Sequence, residues 1–315
     1  MPRVSRLSGP VSGVIMALVL LLGALYTPCR AETVGVILTR DRPFDEQAQK
    51  ALQKYVRSQG FGDRVRYIVQ RPHPDPVAWS NASRKLIAAE VDAIVTYGGA
   101  ATAAALRENS GIPVIYAGVY DSVARNIPRD EATGVCSRPS IAALLRYIRE
   151  SIQGVKSLGV LYYTLDEDSR KQFDDIAELS KKYGFRLDPL RVRRQGDVGD
   201  AISQADVSAL FITSSAFMSG VYSEVLRMAE TKKIPSASLV YDPALFATYV
   251  LSPNPEEHGR EAARKLLRLL KGVPLEDIPP SCASEVELVF NLAKARELGI
   301  RIPMDVVTEA TRIIY

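Results

Sequence analysis

The sequence predicts an α/β protein of two similar lobes, each a doubly wound parallel sheet, joined by a hinge. Three observations carry that expectation. The chain has 315 residues, more than one hydrophobic core usually organises, with 47% hydrophobic and 24% charged residues, ordinary globular usage. Residues 32–250 read as one unit written twice. Each copy opens on a short apolar run of the kind buried on both faces of a parallel sheet, Val34–Thr39 in the first and Leu158–Thr164 in the second.

Before the first copy lies a leader. Arg3 and Arg6 precede an apolar run from Val14 to Leu25, and Cys29-Arg30-Ala31 offers small residues at the −3 and −1 positions. Twelve apolar residues are too few to span a bilayer, which takes about 20. Residues 1–31 are therefore expected to be a cleaved signal peptide, with a retained anchor as the alternative, and the mature protein to be periplasmic. Loss of Arg3, Arg6 and Arg30 leaves 37 basic against 36 acidic residues, a net +1, and no basic stripe interleaved with aromatics points to nucleic acid.

In the first copy the strand is followed by Phe44, Ala48, Ala51, Leu52, Tyr55 and Val56 at helical spacing. Asp45, Glu46, Gln49, Lys50 and Lys54 fall on the other face, and the two acids suit the positive end of the helix dipole. The turn Gln59-Gly60-Phe61 closes this helix. A second strand follows at Val91–Thr96, then a Gly-rich turn into a helix over Thr102–Asn109, then a strand beginning at Gly111-Ile112-Pro113-Val114-Ile115. The second copy repeats the order. Phe173, Ile176, Ala177 and Ser180 form its helical stripe behind Asp166–Ser169, Tyr183-Gly184-Phe185 makes the turn, and Val207–Thr213 and Lys233–Ala237 match the later strands. The copies stay near 120 positions apart: 124 at Gly60/Gly184, 116 at Val91/Val207 and 122 at Ile112/Ile234. Such a period is too long for a solenoid and fits two lobes. The expected division is residues 32–135 plus about 253–282 in lobe 1, and 136–252 plus about 283–315 in lobe 2.

An exported chain changes how cysteines read. Loss of Cys29 leaves Cys136 and Cys282, an even pair in an oxidising compartment, each where the chain crosses between lobes. A disulfide and two separately buried thiols are the two alternatives.

Four stretches carry a family resemblance. They are Ala93-Ile94-Val95-Thr96-Tyr97-Gly98-Gly99-Ala100-Ala101; the pair Ala132–Val135 and Gly159–Tyr162; His258–Ala263 running on to Leu270-Lys271-Gly272; and the tail Leu288–Ile300 followed by Ile302-Pro303. The chain resembles the periplasmic substrate-binding proteins of ABC transporters, with the type I periplasmic-binding fold, over essentially all of residues 33–315. The tail is the most specific part: a strand, an Asn, and a helix closing on Leu-Gly and Ile-Pro. The turn departs from the family's usual Gly-Thr-Pro-Ala-Ala, because Gly99 and Ala100 replace the Thr and Pro.

Two lobes enclose a cleft, and parallel strands joined by crossover helices put their C-terminal ends along it. The loops to watch are 39–44, 97–101, 117–122, 163–169, 213–219 and 240–245. They supply the candidate ligand-binding residues Thr39, Asp41, Gly98, Gly99, Ala100, Tyr120, Asp121, Tyr163, Thr164, Ser214, Ser215, Tyr241 and Asp242. Gly98–Ala101 either presents helix N–H groups to a carboxylate or is a plain tight turn. Asp121, which matches an aspartate of the family, and Asp242 either accept from an amino group or cap the next helix. Tyr97, Tyr120, Tyr163 and Tyr241 sit near strand ends, where a ring either stacks on a flat ligand or only forms the wall. Trp79 is expected to be packed, and His258 to cap its helix or face solvent.

No Gly-x-Ser-x-Gly elbow, Walker motif or dinucleotide fingerprint occurs, and two isolated histidines make no metal site, so no cofactor or metal is expected. The resemblance implies a monomeric, non-enzymatic receptor that captures a small organic solute, an amino acid or other carboxylate, and delivers it to ABC permease subunits. The alternatives are a ligand-sensing receptor for a signalling protein and, last, a cleft hydrolase, which lacks an activating partner for any nucleophile.

Overall fold

Val34 and Val36 point to one face of the first strand and Ile37 to the other, so that strand needs cover on both sides, and the chain supplies it with alternating helices. The structure is a computed structural model in which residues 31–123 and 125–315 are described, and residues 32–315 form one compact unit. The signal peptide expected over residues 1–31 lies outside the described residues, Ala31 aside.

Lobe 1 opens with β1 (Glu32–Ile37), α1 (Pro43–Ser58), β2 (Val65–Gln70), α2 (Pro76–Ala88), β3 (Ala93–Tyr97), α3 (Gly99–Arg107), β4 (Val114–Val119) and β5 (Ala132–Ser137). The chain crosses to lobe 2 for α4 (Ile141–Ser151), β6 (Ser157–Tyr163), α5 (Glu167–Lys182), β7 (Arg186–Val192), α6 (Gly196–Ser203), β8 (Ala209–Ile212), α7 (Ala216–Thr231), β9 (Ser236–Ser238) and β10 (Tyr249–Pro253). It returns for α8 (Pro255–Leu270) and β11 (Ser281–Ala283). A third crossing leads to β12 (Val286–Asn291), α9 (Leu292–Glu297), α10 (Met304–Val307) and β13 (Arg312–Ile314).

The first sheet runs β11-β5-β4-β3-β1-β2 and is parallel throughout. The second runs β13-β12-β10-β9-β8-β6-β7, with β10 and β12 the antiparallel pair. The order β2-β1-β3-β4-β5 in one lobe is matched by β7-β6-β8-β9-β10 in the other, so the repeat in the sequence is a repeat in topology.

Helix ends follow local chemistry. Pro43, Pro76 and Pro255 stand in the first turns of α1, α2 and α8, where a missing N–H costs nothing. Asp75, Ser140, Asp166, Ser215 and Asn254 cap α2, α4, α5, α7 and α8 through their side chains. The helix expected from Thr102 starts three residues earlier, because Gly98 at φ +80° turns the chain and Thr102 N–H already reaches the Gly98 carbonyl. In α1, Phe44, Ala48, Leu52 and Val56 are buried as the stripe predicts. Asp45 and Gln49 are buried too, against the polar face assigned to them. Asp45 turns inward to accept from Thr39 N–H at 3.0 Å, and Gln49 accepts from the Tyr97 hydroxyl at 2.7 Å.

Helix α8 belongs to lobe 1, where Ala262, Ala263 and Leu266 join Leu52 and Val56 of α1 over Val34 and Val36. The two helices touch at Gly259: a Cβ there would overlap the Ala48 carbonyl oxygen and stand 2.8 Å from Ala51 Cβ. His258, expected to cap its helix or face solvent, is fully buried, and the cap is Asn254. Its Nδ1 accepts from Gly118 N–H at 3.3 Å and its ring meets Phe44 edge-on at 5.3 Å. Burial, helped by Arg42, pushes the imidazole down to about 3, so it is neutral at every physiological pH.

Cys136 and Cys282 face each other across the β5–β11 pairing with Cα atoms 4.3 Å apart, and they form a disulfide spanning 146 positions. Each lies one or two residues from a crossing between lobes.

Candidate functional site

The strand ends of both sheets border one cleft with an open volume of about 690 Å³, solvent at its mouth included. Lobe 1 gives it Thr39, Arg42, Phe44, Trp79, Tyr97, Gly98–Ala101, Gly118 and Tyr120. Lobe 2 gives Asp166, Asp168, Gln172, Ser214–Ala216, Ser219, Leu239 and Tyr241, and the crossing segments give Ser137, Pro139 and Pro253.

The structure therefore brings together Thr39, Gly98, Gly99, Ala100, Tyr120, Ser214, Ser215 and Tyr241 from the candidate set. Several of these side chains already have work. Thr39 accepts from the Trp79 indole N–H at 3.1 Å and so fixes the ring. Ser215 caps α7 through Met218 N–H at 3.1 Å. Gln172 clamps the Ser214 backbone from both sides, accepting from its N–H at 2.6 Å and donating to its carbonyl at 3.0 Å.

Asp41, Asp121, Tyr163, Thr164 and Asp242 do not line the cleft. Asp41 is exposed at φ +59°. Asp121 caps a turn through Val123 N–H at 3.1 Å and faces Arg138 at 3.6 Å. Asp242 caps Ala244 and Leu245 N–H, both at 2.9 Å. The Tyr163 ring stacks on Phe217 with centroids 4.2 Å apart, and Thr164 turns its hydroxyl to the Val192 carbonyl at 3.3 Å. Each thus caps its own turn, not the next helix that one of its two readings expected.

Charge in the cleft comes mainly from residues outside the candidate set. Arg42 pairs with the buried Asp45 at 3.1 Å, and its guanidinium lies where a Cβ on Gly98 would stand 2.5 Å from Nη1. Arg125 covers Gly99 in the same way, since a Cβ there would overlap its guanidinium. A side chain at either glycine would thus displace the arginine that lies against it. Arg125 donates from Nε to Asp168 at 2.6 Å and pairs with Glu167 at 3.1 Å.

Asp168 is the centre of the contact between lobes. It comes from the first turn of α5, yet it accepts from Gly99 N–H at 3.2 Å, from Tyr120 N–H at 3.3 Å and from Arg125, all in lobe 1. The Tyr120 hydroxyl adds a bond to Asp175 at 2.8 Å. A carboxylate at the start of α3 is what the dipole and the free N–H groups favour, and here the protein provides it from the opposite lobe.

Asp166 is 8% exposed and accepts from Ser169 N–H at 2.8 Å. Burial, then the neighbouring Asp168, push its carboxyl up to about 6, against the Ser169 N–H and the two arginines. A raised carboxyl contributes stability that is present below the unfolded value and lost as pH rises through about 6. Asp166→Asn keeps a capping oxygen and removes the buried charge. The variant is expected to be more stable than the parent at pH 7, by up to about 3 kcal/mol, with the advantage fading toward pH 4. Paired thermal melts across that range check this, and an advantage that grew on acidification would contradict it.

A family model described as ABC transporter substrate binding protein matches residues 33–314. A tyrosine-binding protein of Clostridioides difficile is 22% identical over 273 residues, 83% of this chain and 79% of that protein. The crystal structure of an ABC domain in complex with L-Trp from Streptococcus pneumoniae superposes with a TM-score of 0.84 at 21% identity, covering 90% of this chain and 99% of the other. A ligand-free, open substrate binding protein with adhesive properties from Clostridium difficile gives 0.68 at 20% identity, over 90% and 99% of the two chains.

Proposed function

The chain belongs to the ABC transporter substrate-binding protein family, and from that premise we propose that it is the exported solute receptor of one transporter, closing its lobes on an aromatic amino acid. The observation that carries the ligand class is the wall of the cleft. Phe44, Trp79, Tyr97 and Tyr120 of lobe 1 and Tyr241 of lobe 2 surround a space that also holds the buried carboxylates of Asp166 and Asp168. Flat rings offer a large apolar contact, and the buried carboxylate of Asp166 suits an ammonium group. The tyrosine-binding protein and the L-Trp complex support the same class.

The leader over residues 1–31 takes the protein across the membrane, and each closed lobe then meets one permease subunit. Catalysis has no place in this reading. Ser215 is a helix cap, and the imidazole of His258 is neutral and bonded to a backbone N–H, so neither forms a nucleophile–base pair. Closure is a hinge motion selected by a ligand touching both lobes.

Thermal-shift measurements with the common amino acids test the proposal. A ligand at a hundred times its dissociation constant adds about 2.7 kcal/mol, which raises the melting temperature by several degrees. Tyrosine, tryptophan or phenylalanine is expected to give the largest shift. A flat response to all three would remove the ligand class.

A further inference from the structure

The charges of the cleft do not balance when each is assigned its partner. Arg42 is committed to Asp45, and Arg125 to Asp168 and Glu167. Asp166 makes no ion pair among the described residues, and one of its oxygens is taken by Ser169 N–H. Its side chain lines the cleft and is more than nine-tenths buried. The remaining oxygen has no hydrogen-bond partner among the described residues and offers a charged acceptor. Meanwhile Gly99 N–H, Tyr120 N–H and the Arg125 guanidinium, which together suit a carboxylate, are filled by Asp168. A second carboxylate placed on the next N–H groups of α3, at Ala100 or Ala101, would lie one or two residues from that of Asp168 and meet like-charge repulsion.

We infer that the receptor recognises its ligand by the cationic end: the ammonium group binds Asp166, the aromatic ring packs among the cleft rings, and Asp168 occupies the anion seat in place of a ligand carboxylate. This inference rests on the aromatic amino-acid reading and deepens it. The ligand class it defines is wider than amino acids and takes in aromatic amines that lack a carboxylate. Asp168 acts as a specificity residue. It excludes anions from the start of α3 and fastens lobe 2 to lobe 1 at the same point. The departure of the turn from Gly-Thr-Pro-Ala-Ala fits this arrangement, since a side chain at position 99 would overlap the arginine that holds Asp168.

Calorimetric titration of the full mature protein with two ligand series tests the assignment. One series is L-tyrosine, tyramine and 3-(4-hydroxyphenyl)propionate, and the other is L-tryptophan, tryptamine and indole-3-propionate. The amines are expected to bind within about tenfold of the parent amino acids, and the propionates to bind at least about a hundredfold more weakly. Asp166→Asn, which keeps the cap, should cost the amines about tenfold or more. Asp168→Ser frees the seat and should gain the propionates about tenfold. Amines weaker than the amino acids by more than about a hundredfold in the unmodified protein would overturn the inference while leaving the amino-acid reading intact. Failure of all six compounds to bind would overturn both. Should Asp168→Ser not fold, the comparison on the unmodified protein still decides.

Discussion

Gly259→Val is expected to lower the stability of the protein by about 3 kcal/mol, and its melting temperature by about 5–10 °C. The reason is the nature of the obstacle. A Cβ on Gly259 would run into the backbone carbonyl of Ala48 and close on the Cβ of Ala51, so no side-chain rotation relieves the overlap. Only separation of α8 from α1 does so. That separation opens the apolar layer in which Ala262, Ala263 and Leu266 meet Leu52 and Val56. The neighbouring His258 would lose its bond to Gly118 N–H in the same movement. Gly220, on α7, has no atom within 4 Å of a built Cβ and serves as the control. Gly220→Val should be neutral or slightly stabilising, by about a few tenths of a kcal/mol, because valine exceeds glycine in helix propensity. Equal melting curves for the two variants would show that the α1–α8 crossing is looser than described.

The second large effect concerns Cys136 and Cys282. Replacing both by serine in the protein without its leader is expected to cost about 2–5 kcal/mol. The chain-entropy estimate for a loop of 146 positions lies near the upper limit. The bond joins an edge strand of only three residues, Ser281–Ala283, to β5, so its loss also removes what fixes that edge. Thiol titration of the denatured, unreduced protein should find no free thiol, and the double variant should unfold at lower denaturant with little change in slope. Two titratable thiols would show that the pair is reduced in the protein as made.

Much of the fold was legible because it is written twice. Val34 and Leu158, Val91 and Val207, and Ile112 and Ile234 mark equivalent strands, and the topologies they open are the same. The cleft was legible as a set of loops. Thr39, Gly98–Ala100, Tyr120, Ser214–Ser215 and Tyr241 fell where strand ends predict them. Individual polar roles were harder to read. Asp121 and Asp242 have the same sequence setting as Asp166 and Asp168, an acid after a strand and before a helix or turn. What separates them is orientation: Asp121 and Asp242 bond backbone N–H groups of their own turns, whereas Asp168 reaches the other lobe.

The signals for the missed residues were present but weak. Arg42 precedes the first-turn proline of α1 inside the loop 39–44, and Asp166 and Asp168 lie inside 163–169. Periodicity places those loops without saying which side chain turns inward. Arg125 had no such signal, because it lies outside every loop singled out and acts through a distant glycine. Burial of Asp45 went against the amphipathic pattern for a related reason. Its partners, Thr39 N–H and Arg42, come from the preceding loop, and a helix wheel does not include them.

The close fit of Arg125 on Gly99 has a consequence for how such a protein can diverge. The two positions are coupled through the place of the guanidinium. A side chain at 99 would overlap the guanidinium of Arg125 and displace it. A small residue at 125, acquired first, would leave Asp168 buried beside Asp166 with its cation gone. Positions 99, 125 and 168 therefore act as one unit: whatever stands at 99 decides where the guanidinium lies, and the guanidinium decides whether the Asp168 carboxylate has a cation beside it.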